Sequence, residues 1–331
     1  MIVSRSPYRI SFFGGGTDYE SWFSENQGNF LSLAIDYYTY ITLRIKPKFQ
    51  GKEFRILWRL SEEVSSVELI KHPIVRETLI EFGYSDTGLD LSYIGDLPGG
   101  SGMGSSSAFT SALIYALYAD MNKPINPYEL SSYSYNIEKH KLKETVGIQD
   151  QIATSHGGFN YVSIEKDGSY QLSPLNLSSE NLKKFLQRLV LVYTGKTRRA
   201  TSIAEKKVSN MKHKISSYKE IQNMTPIAYD HILKNNLEDF GKMLHQSWLI
   251  KRDLAKEISD NYIDELYNFG IKNGALGGKL LGAGGGGFLL FMAKEGQEKK
   301  LISSLKNEIV VPFKLSNHGT QIVYNESKKN E

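Results

Sequence analysis

The chain has 331 residues, enough for about two domains at roughly 150 residues each and for a large core that needs no disulfide staples. Its 40 Lys plus Arg against 36 Asp plus Glu leave a net charge of +4, too mild for a nucleic-acid or membrane-surface protein, and the absence of cysteine excludes disulfides, thiolate nucleophiles and Cys-bound zinc or iron–sulfur sites. No apolar run approaches the roughly 18 residues of a membrane span and the opening MIVSRSPYRI lacks a signal-peptide core, so a cytoplasmic location is expected.

The 29 glycines cluster in three places, Gly14 to Gly16, Gly99 to Gly104 and Gly282 to Gly287. Residues 29–47, rich in β-branched and aromatic side chains, read as two strands. Residues 61–83 read as helical on either side of Pro73. LDLSYIGDL (89–97) alternates apolar and polar and reads as a strand entering the second glycine cluster. From Ser105 to Met121 nearly the whole circumference is apolar, with Phe109, Leu113 and Leu117 four apart, which marks a buried helix. The next helix opens on Asn126, Pro127 and Glu129, a capping box with proline at the first position, and carries Ile137 and Glu138 towards its far end.

Residues 157–175 read as a hairpin turning at Asp167-Gly168. Composition places a domain boundary there, giving units 1–165 and 166–331. RLVLVYTG (188–195) reads as a buried strand, followed by helices over 198–223, 226–254 and 259–273. A strand at 288–296, a helix near 297–307 and a last strand through Ile322 and Val323 complete the chain.

Two familiar strings are set aside. Gly282, Gly284 and Gly287 satisfy G-x-G-x-x-G, but a dinucleotide site needs a helix next, and FLLFMA is a strand. Asp239-Phe240-Gly241 spells a protein-kinase triplet inside an amphipathic helix, in a chain without the HRD loop. There is no Walker A lysine loop.

LPGGSGMGSSSA (97–108) carries the strongest chemical signal. A strand leads into small, flexible residues and then directly into the buried helix. Glycines let the backbone aim its N–H groups at one point, and the helix start adds unpaired donors and about half a positive charge. Such a cradle binds anions, phosphate above all.

PYRISFFGGGTD (7–18), PGGSGMGSSSA (98–108) and LLGAGGGGF (280–288) are similar, in order and spacing, to the three motifs of the GHMP kinases. The resemblance spans the chain. It implies a mixed α+β fold of two domains, an N-terminal one like ribosomal protein S5 domain 2 and a C-terminal ferredoxin-like one, with the active site between them. Gly14-Gly15-Gly16-Thr17-Asp18 stands where galactokinases have Gly-Glu-His-Thr-Asp, and Leu281 where many members have Ser or Thr. With YTGKTRRA (193–200), these variants resemble the subgroup of heptose 7-phosphate kinases and fucokinases. That likeness implies ATP- and Mg²⁺-dependent phosphorylation of D-glycero-α-D-manno-heptose 7-phosphate at its anomeric oxygen, for GDP-heptose and surface-polysaccharide synthesis. The alternatives are a kinase for an unphosphorylated sugar such as fucose, and a sugar or nucleotide sensor without catalysis. The expected partners are a sugar phosphate and ATP, with a homodimer left open and neither nucleic acid nor membrane.

The resemblance assigns roles residue by residue. Pro98, Gly99, Gly100, Ser101, Gly102, Met103, Gly104, Ser105, Ser106 and Ser107 would hold the ATP phosphates. Ser106, with Ser105 or Ser107 as one-residue slips, and Glu138 would bind Mg²⁺. Asp150 would take or orient the proton of the sugar hydroxyl, and Arg9 would pair with it. Gly15, Gly16, Thr17 and Asp18 would meet the sugar, Gly284 and Gly285 would close the site, and Lys196, Arg198 and Arg199 would hold the sugar's own phosphate.

Overall fold

Two sheets carry the fold in this computed structural model, which describes residues 1–197 and 200–326. The strands are β1 (Ile2–Phe13), β2 (Gly28–Ile45), β3 (Phe54–Leu57), β4 (Ser61–Val64), β5 (Leu89–Gly95), β6 (Phe159–Ile164), β7 (Tyr170–Pro174), β8 (Leu189–Tyr193), β9 (Ala275–Leu280), β10 (Phe288–Ala293), β11 (Ile309–Val311) and β12 (Gln321–Asn325). The helices are α1 (Glu20–Asn26), α2 (Pro73–Glu81), α3 (Ser105–Asp120), α4 (Pro127–Tyr135), α5 (Gln149–His156), α6 (Ser179–Gln187), α7 (Ala200–Ser209), α8 (Ile215–Leu233), α9 (Leu237–Arg252), α10 (Asn261–Lys272) and α11 (Glu298–Ser304).

The larger sheet runs β12-β1-β2-β5-β3-β4, with β6 also on β2 and β7 on β6. The smaller runs β11-β8-β10-β9 and is antiparallel throughout. Counted within that sheet, its strands lie in the order fourth, first, third, second, with helices after the first and third, which is the ferredoxin-like arrangement. The mixed fold and both sheets agree with the implied architecture. The boundary expected at 165 falls in the turn between β6 and β7, and β12 returns from the far end of the chain to β1.

An aromatic cluster joins the two sheets. Phe12 of β1 packs on Phe159, Phe185 and Phe240, with ring centroids 5.6, 5.6 and 5.7 Å away, and Phe13 meets Phe240 at 5.4 Å. All five rings are buried. The strand that ends at the first glycine cluster is thereby fixed to the smaller sheet. No helix among the described residues is long and apolar enough to cross a membrane.

Three elements differ from expectation, each for a local reason. Residues 29–47 form one long strand because its first half pairs with β6 and its second with β5. In 61–83 only Pro73–Glu81 is α-helical. Buried Glu62 accepts from Trp58 Nε1 and the Lys71 N–H, both at 2.6 Å, which holds 61–64 in a strand against β3. In the long helical stretch the breaks fall at 210–214 and 234–236, while Pro226 lies inside α8. The carbonyl this proline frees, that of Gln222, accepts instead from Asn29 Nδ2 at 3.0 Å.

Candidate active site

The second glycine cluster turns between β5 and α3 through Gly100, Gly102 and Gly104, at φ +71°, +76° and +78°. Gly102 has a further reason to lack a side chain: a Cβ there would stand 2.8 Å from the Leu281 carbonyl of the third glycine cluster. Gly99, Gly100, Gly102, Gly104, Ser105, Ser106 and Ser107 line a cavity of about 550 Å³. The first-turn N–H donors of α3 open onto it, as the anion cradle requires. Pro98, Ser101 and Met103 are not on its wall. Met103 is buried in the core beside Phe12 and Phe13, and its carbonyl accepts from the Arg9 N–H at 3.0 Å.

Opposite the cradle stands Asp150, in the first turn of α5. Arg9 of β1 grips it as a fork, Nε to Oδ1 and Nη2 to Oδ2, each at 2.8 Å. The remaining Arg9 nitrogen, Nη1, donates to the Gly102 carbonyl at 2.6 Å. One buried guanidinium therefore sets the aspartate and the glycine loop relative to each other. Asp150 keeps about 30% of its side chain exposed, so it can reach an incoming hydroxyl.

Glu138 is fully buried on a π-helical turn, Asn136–Lys141, that continues α4. Such turns bulge the backbone outward and recur at functional sites. Ser107 Oγ and Gln151 Nε2 both donate to Glu138 Oε2 at 3.0 Å, while Oε1 has no hydrogen-bond partner among the described residues. Burial raises this carboxyl to about 8, against the pull of the neighbouring hydroxyls and amide. Of the three serines weighed for the metal, the hydroxyl that meets Glu138 is that of Ser107, one turn position beyond Ser106. An orphaned carboxylate oxygen and a hydroxyl at the mouth of an anion cradle suit a hard cation such as Mg²⁺, which needs few protein ligands and shares phosphate oxygens. No cluster of three His, Cys or acidic residues with metal-binding geometry occurs among the described residues.

The first glycine cluster divides in two. Gly15, Gly16 and Asp18 line the cavity. Asp18 accepts from the Gly16 N–H at 2.7 Å, and Gly147 packs so tightly on it that any side chain at 147 would strike the carboxyl. Burial raises the Asp18 carboxyl, the Gly16 N–H pulls it back, and the charge of Asp150 raises it again. Thr17 faces away, contrary to expectation. Its hydroxyl donates to the Gly14 and Asn29 carbonyls at 2.9 and 2.8 Å and so closes the loop.

The third cluster meets the cradle through Gly282, and Ala283 lines the cavity beside it. Gly284 and Gly285, the expected contacts, pack instead on residue 258: Gly285 N–H donates to the Ile258 carbonyl at 2.9 Å. Lys196 is likewise spent elsewhere, 2.6 Å from Asp260 and over the Tyr262 ring. Arg198 and Arg199 lie outside the described residues.

Sequence reading missed three buried lysines on the cavity wall, Lys207, Lys251 and Lys279. Lys207 and Lys251 hide in helical patterns where a lysine ordinarily marks the solvated face. Lys279 left a trace, a single charge in the otherwise small and apolar strand ALGGKL. Gln149 also escaped notice; it donates to Ser11 Oγ at 2.7 Å and braces β1 against α5.

An anion cradle facing an Arg-anchored aspartate suits transfer of a phosphoryl group to a hydroxyl, so the class this cleft defines is a kinase. The sequence matches the GHMP kinases N terminal domain over residues 68–158 and the GHMP kinases C terminal domain over 228–310, together more than half of the chain. It belongs to the GHMP kinase family, and it is a phosphotransferase. The chain is 29% identical to the D-glycero-alpha-D-manno-heptose 7-phosphate kinase of Campylobacter jejuni, over 93% of this chain and 94% of that one. It is 26% identical to the bifunctional fucokinase/GDP-fucose pyrophosphorylase of Arabidopsis thaliana, over 89% of this chain but 30% of the longer protein. Among solved structures it is similar to a D-glycero-D-manno-heptose 1-phosphate kinase from Bacteriodes thetaiotaomicron, with a TM-score of 0.81 and 20% identity over 99% of this chain and 100% of that one.

Proposed function

We propose that this protein is a sugar kinase that uses ATP and Mg²⁺ to phosphorylate D-glycero-α-D-manno-heptose 7-phosphate on its anomeric oxygen, giving the 1,7-bisphosphate. The observation that carries the chemistry is the Arg9 fork, which aims Asp150 across the cavity at the glycine cradle. The substrate rests on the likeness to the Campylobacter jejuni enzyme along nearly the whole chain.

The nucleotide's phosphates would lie against Gly99, Gly100, Gly102 and residues 104–107, which line the cavity, held by backbone N–H groups and the start of α3. Ser107 and Glu138 would hold Mg²⁺, which when bound offsets the charge on the phosphate oxygens. Gly15, Gly16 and Asp18 border the acceptor's hydroxyls. Asp150 accepts the proton of the anomeric hydroxyl as the O–H bond breaks. The new bond forms between that oxygen and the γ-phosphorus, and the bond to the β-phosphate oxygen breaks to release ADP. An anomeric hydroxyl is more acidic than an ordinary alcohol, so a plain carboxylate suffices as base. Arg9, tied to both Asp150 and the loop, keeps donor and acceptor in register.

Purified protein given ATP, Mg²⁺ and the heptose 7-phosphate should release ADP in step with acceptor consumed. No release above the acceptor-free background would refute the assignment. The match to a fucokinase favours a second reading, an unphosphorylated sugar as acceptor. Fucose turned over in preference to the heptose phosphate would select it.

A further inference from the structure

Lys207 of α7, Lys251 of α9 and Lys279 of β9 take no part in the chemistry above, yet all three line the catalytic cavity. Their relative exposures are 4%, 6% and 4%. Lysines are almost never buried so deeply unless paired with a counter-charge. Here, among the described residues, none of the three forms an ion pair. Lys251 Nζ donates to the Leu280 and Gly282 carbonyls at 2.6 and 2.7 Å, and Lys279 Nζ to the Phe12 carbonyl at 2.7 Å. Backbone carbonyls orient an ammonium but do not neutralise it. Lys207 feels Asp18 and Asp150, whereas the charges acting on Lys251 are Lys279, Lys207 and Arg9, and those acting on Lys279 are Lys207 and Arg9. Arg9 is already committed to Asp150.

A concentration of buried cations with too few counter-charges, opening into a cavity, calls for a bound anion. Two phosphates could supply it: the nucleotide's γ-phosphate or a phosphate on the acceptor. In the proposed reading the nucleotide's phosphates already have N–H donors in the glycine loop and the start of α3. Lys207, by contrast, stands 5.7 Å over the Tyr19 ring, next to Asp18 on the acceptor side, and Lys279 is fastened to Phe12, just before the first glycine cluster. We infer that Lys207, Lys251 and Lys279 form the seat of the acceptor's own phosphate, a dianion, and that they set a preference for a phosphorylated sugar. This rests on the kinase reading above, and it is independent of Arg198 and Arg199, which lie outside the described residues.

Lys→Met substitutions keep the length of the side chain and remove its charge, so K207M, K251M and K279M test the seat. With heptose 7-phosphate, each should raise the acceptor KM by about 30-fold while leaving the ATP KM within about threefold, as loss of one charge-assisted hydrogen bond implies. A raised ATP KM with the acceptor KM unchanged would overturn the inference and assign the lysines to the nucleotide. Inorganic phosphate gives a reading that needs neither the variants nor the right sugar. In titrations of the wild-type protein saturated with Mg²⁺ and a non-hydrolysable ATP analogue, phosphate should still bind. No binding with the cradle filled would count against the seat. Failure of the wild type to use heptose 7-phosphate would sink the substrate assignment alone, since the phosphate titration reads the lysines whatever the sugar.

Discussion

The cavity has two anion-holding walls built on opposite principles. The glycine loop and the start of α3 offer neutral N–H dipoles held by backbone turns, with hardly a side chain involved. The lysine wall offers full charges on long side chains drawn from α7, α9 and β9. The donors of the backbone cradle are aimed by left-handed turns at Gly100, Gly102 and Gly104, with φ angles near +75°. In the lysine wall, burial and repulsion between cations push the ammonium groups toward neutrality: Lys279 is brought down to about 7 and Lys251 lies well below its ordinary value. One wall therefore answers to backbone geometry and the other to charge.

The variant that should break this picture most severely touches the group facing both walls. Asp150→Ala removes the base and its link to Arg9, so turnover should fall about 10³- to 10⁴-fold, while ATP affinity, measured by titration, stays close to wild type. Equal loss of both would make Asp150 a structural support for the loop.

Glu138→Gln should lower Mg²⁺-dependent turnover by about 100- to 1000-fold. It should also change the pH dependence of stability. The Glu138 carboxyl is raised from 4.5 to about 8 in the fold, so its stabilising contribution is complete below the unfolded value and is lost as pH rises through 8. The glutamine cannot ionise. Melting temperatures taken from pH 5 to 9 should therefore fall less steeply for E138Q than for the wild type, and parallel curves would contradict the burial of this carboxyl.

Gly102→Ala acts on the backbone wall alone. The new Cβ meets the Leu281 carbonyl in a left-handed conformation, which should cost about 1–3 kcal/mol of stability and raise the ATP KM more than the acceptor KM. The lysine wall should answer to pH instead. Lys279 feels Lys207 and Arg9, Lys251 feels Lys279, and Lys207 feels Asp18 and Asp150. As pH rises from 7 to 9 the Lys279 ammonium is lost while a sugar phosphate remains a dianion, so the acceptor KM should climb by up to about tenfold with little change in the ATP KM. The mildest effect belongs to Thr17→Val. It removes hydrogen bonds to Gly14 and Asn29 and should lower stability by about 1–3 kcal/mol with the acceptor KM nearly unaltered.

The same contrast explains what could be read in advance. A cradle made of backbone must announce itself in composition, because only glycine takes those turns and only small residues let α3 begin where it does. The strand before it, the helix after it and the capping box at Asn126 were legible for the same local reason. Asp150 and Arg9 lie 141 positions apart, and their pairing was accessible only through resemblance to a family. The lysine wall has neither aid. Residues 207, 251 and 279 come together through the packing of α7, α9 and β9, and a lysine on an amphipathic helix is ordinarily solvated. Thr17 turns inward although its neighbour Asp18 faces the cavity, because a one-residue step in a tight loop reverses direction. The glycine run of the third cluster does not itself mark which member meets the cradle, and that contact falls at Gly282 rather than at Gly284 or Gly285.

Phosphorus NMR of wild type and Asp150→Ala side by side, each with ATP, Mg²⁺ and heptose 7-phosphate, follows the transferred group itself. The wild-type γ-phosphate signal should give way to a sugar 1-phosphate signal, with the 7-phosphate intact, and the variant should leave both reactants standing over the same interval. Formation of the 1-phosphate by the variant at the wild-type rate, or free phosphate in place of the sugar product in the wild type, would contradict this chemistry.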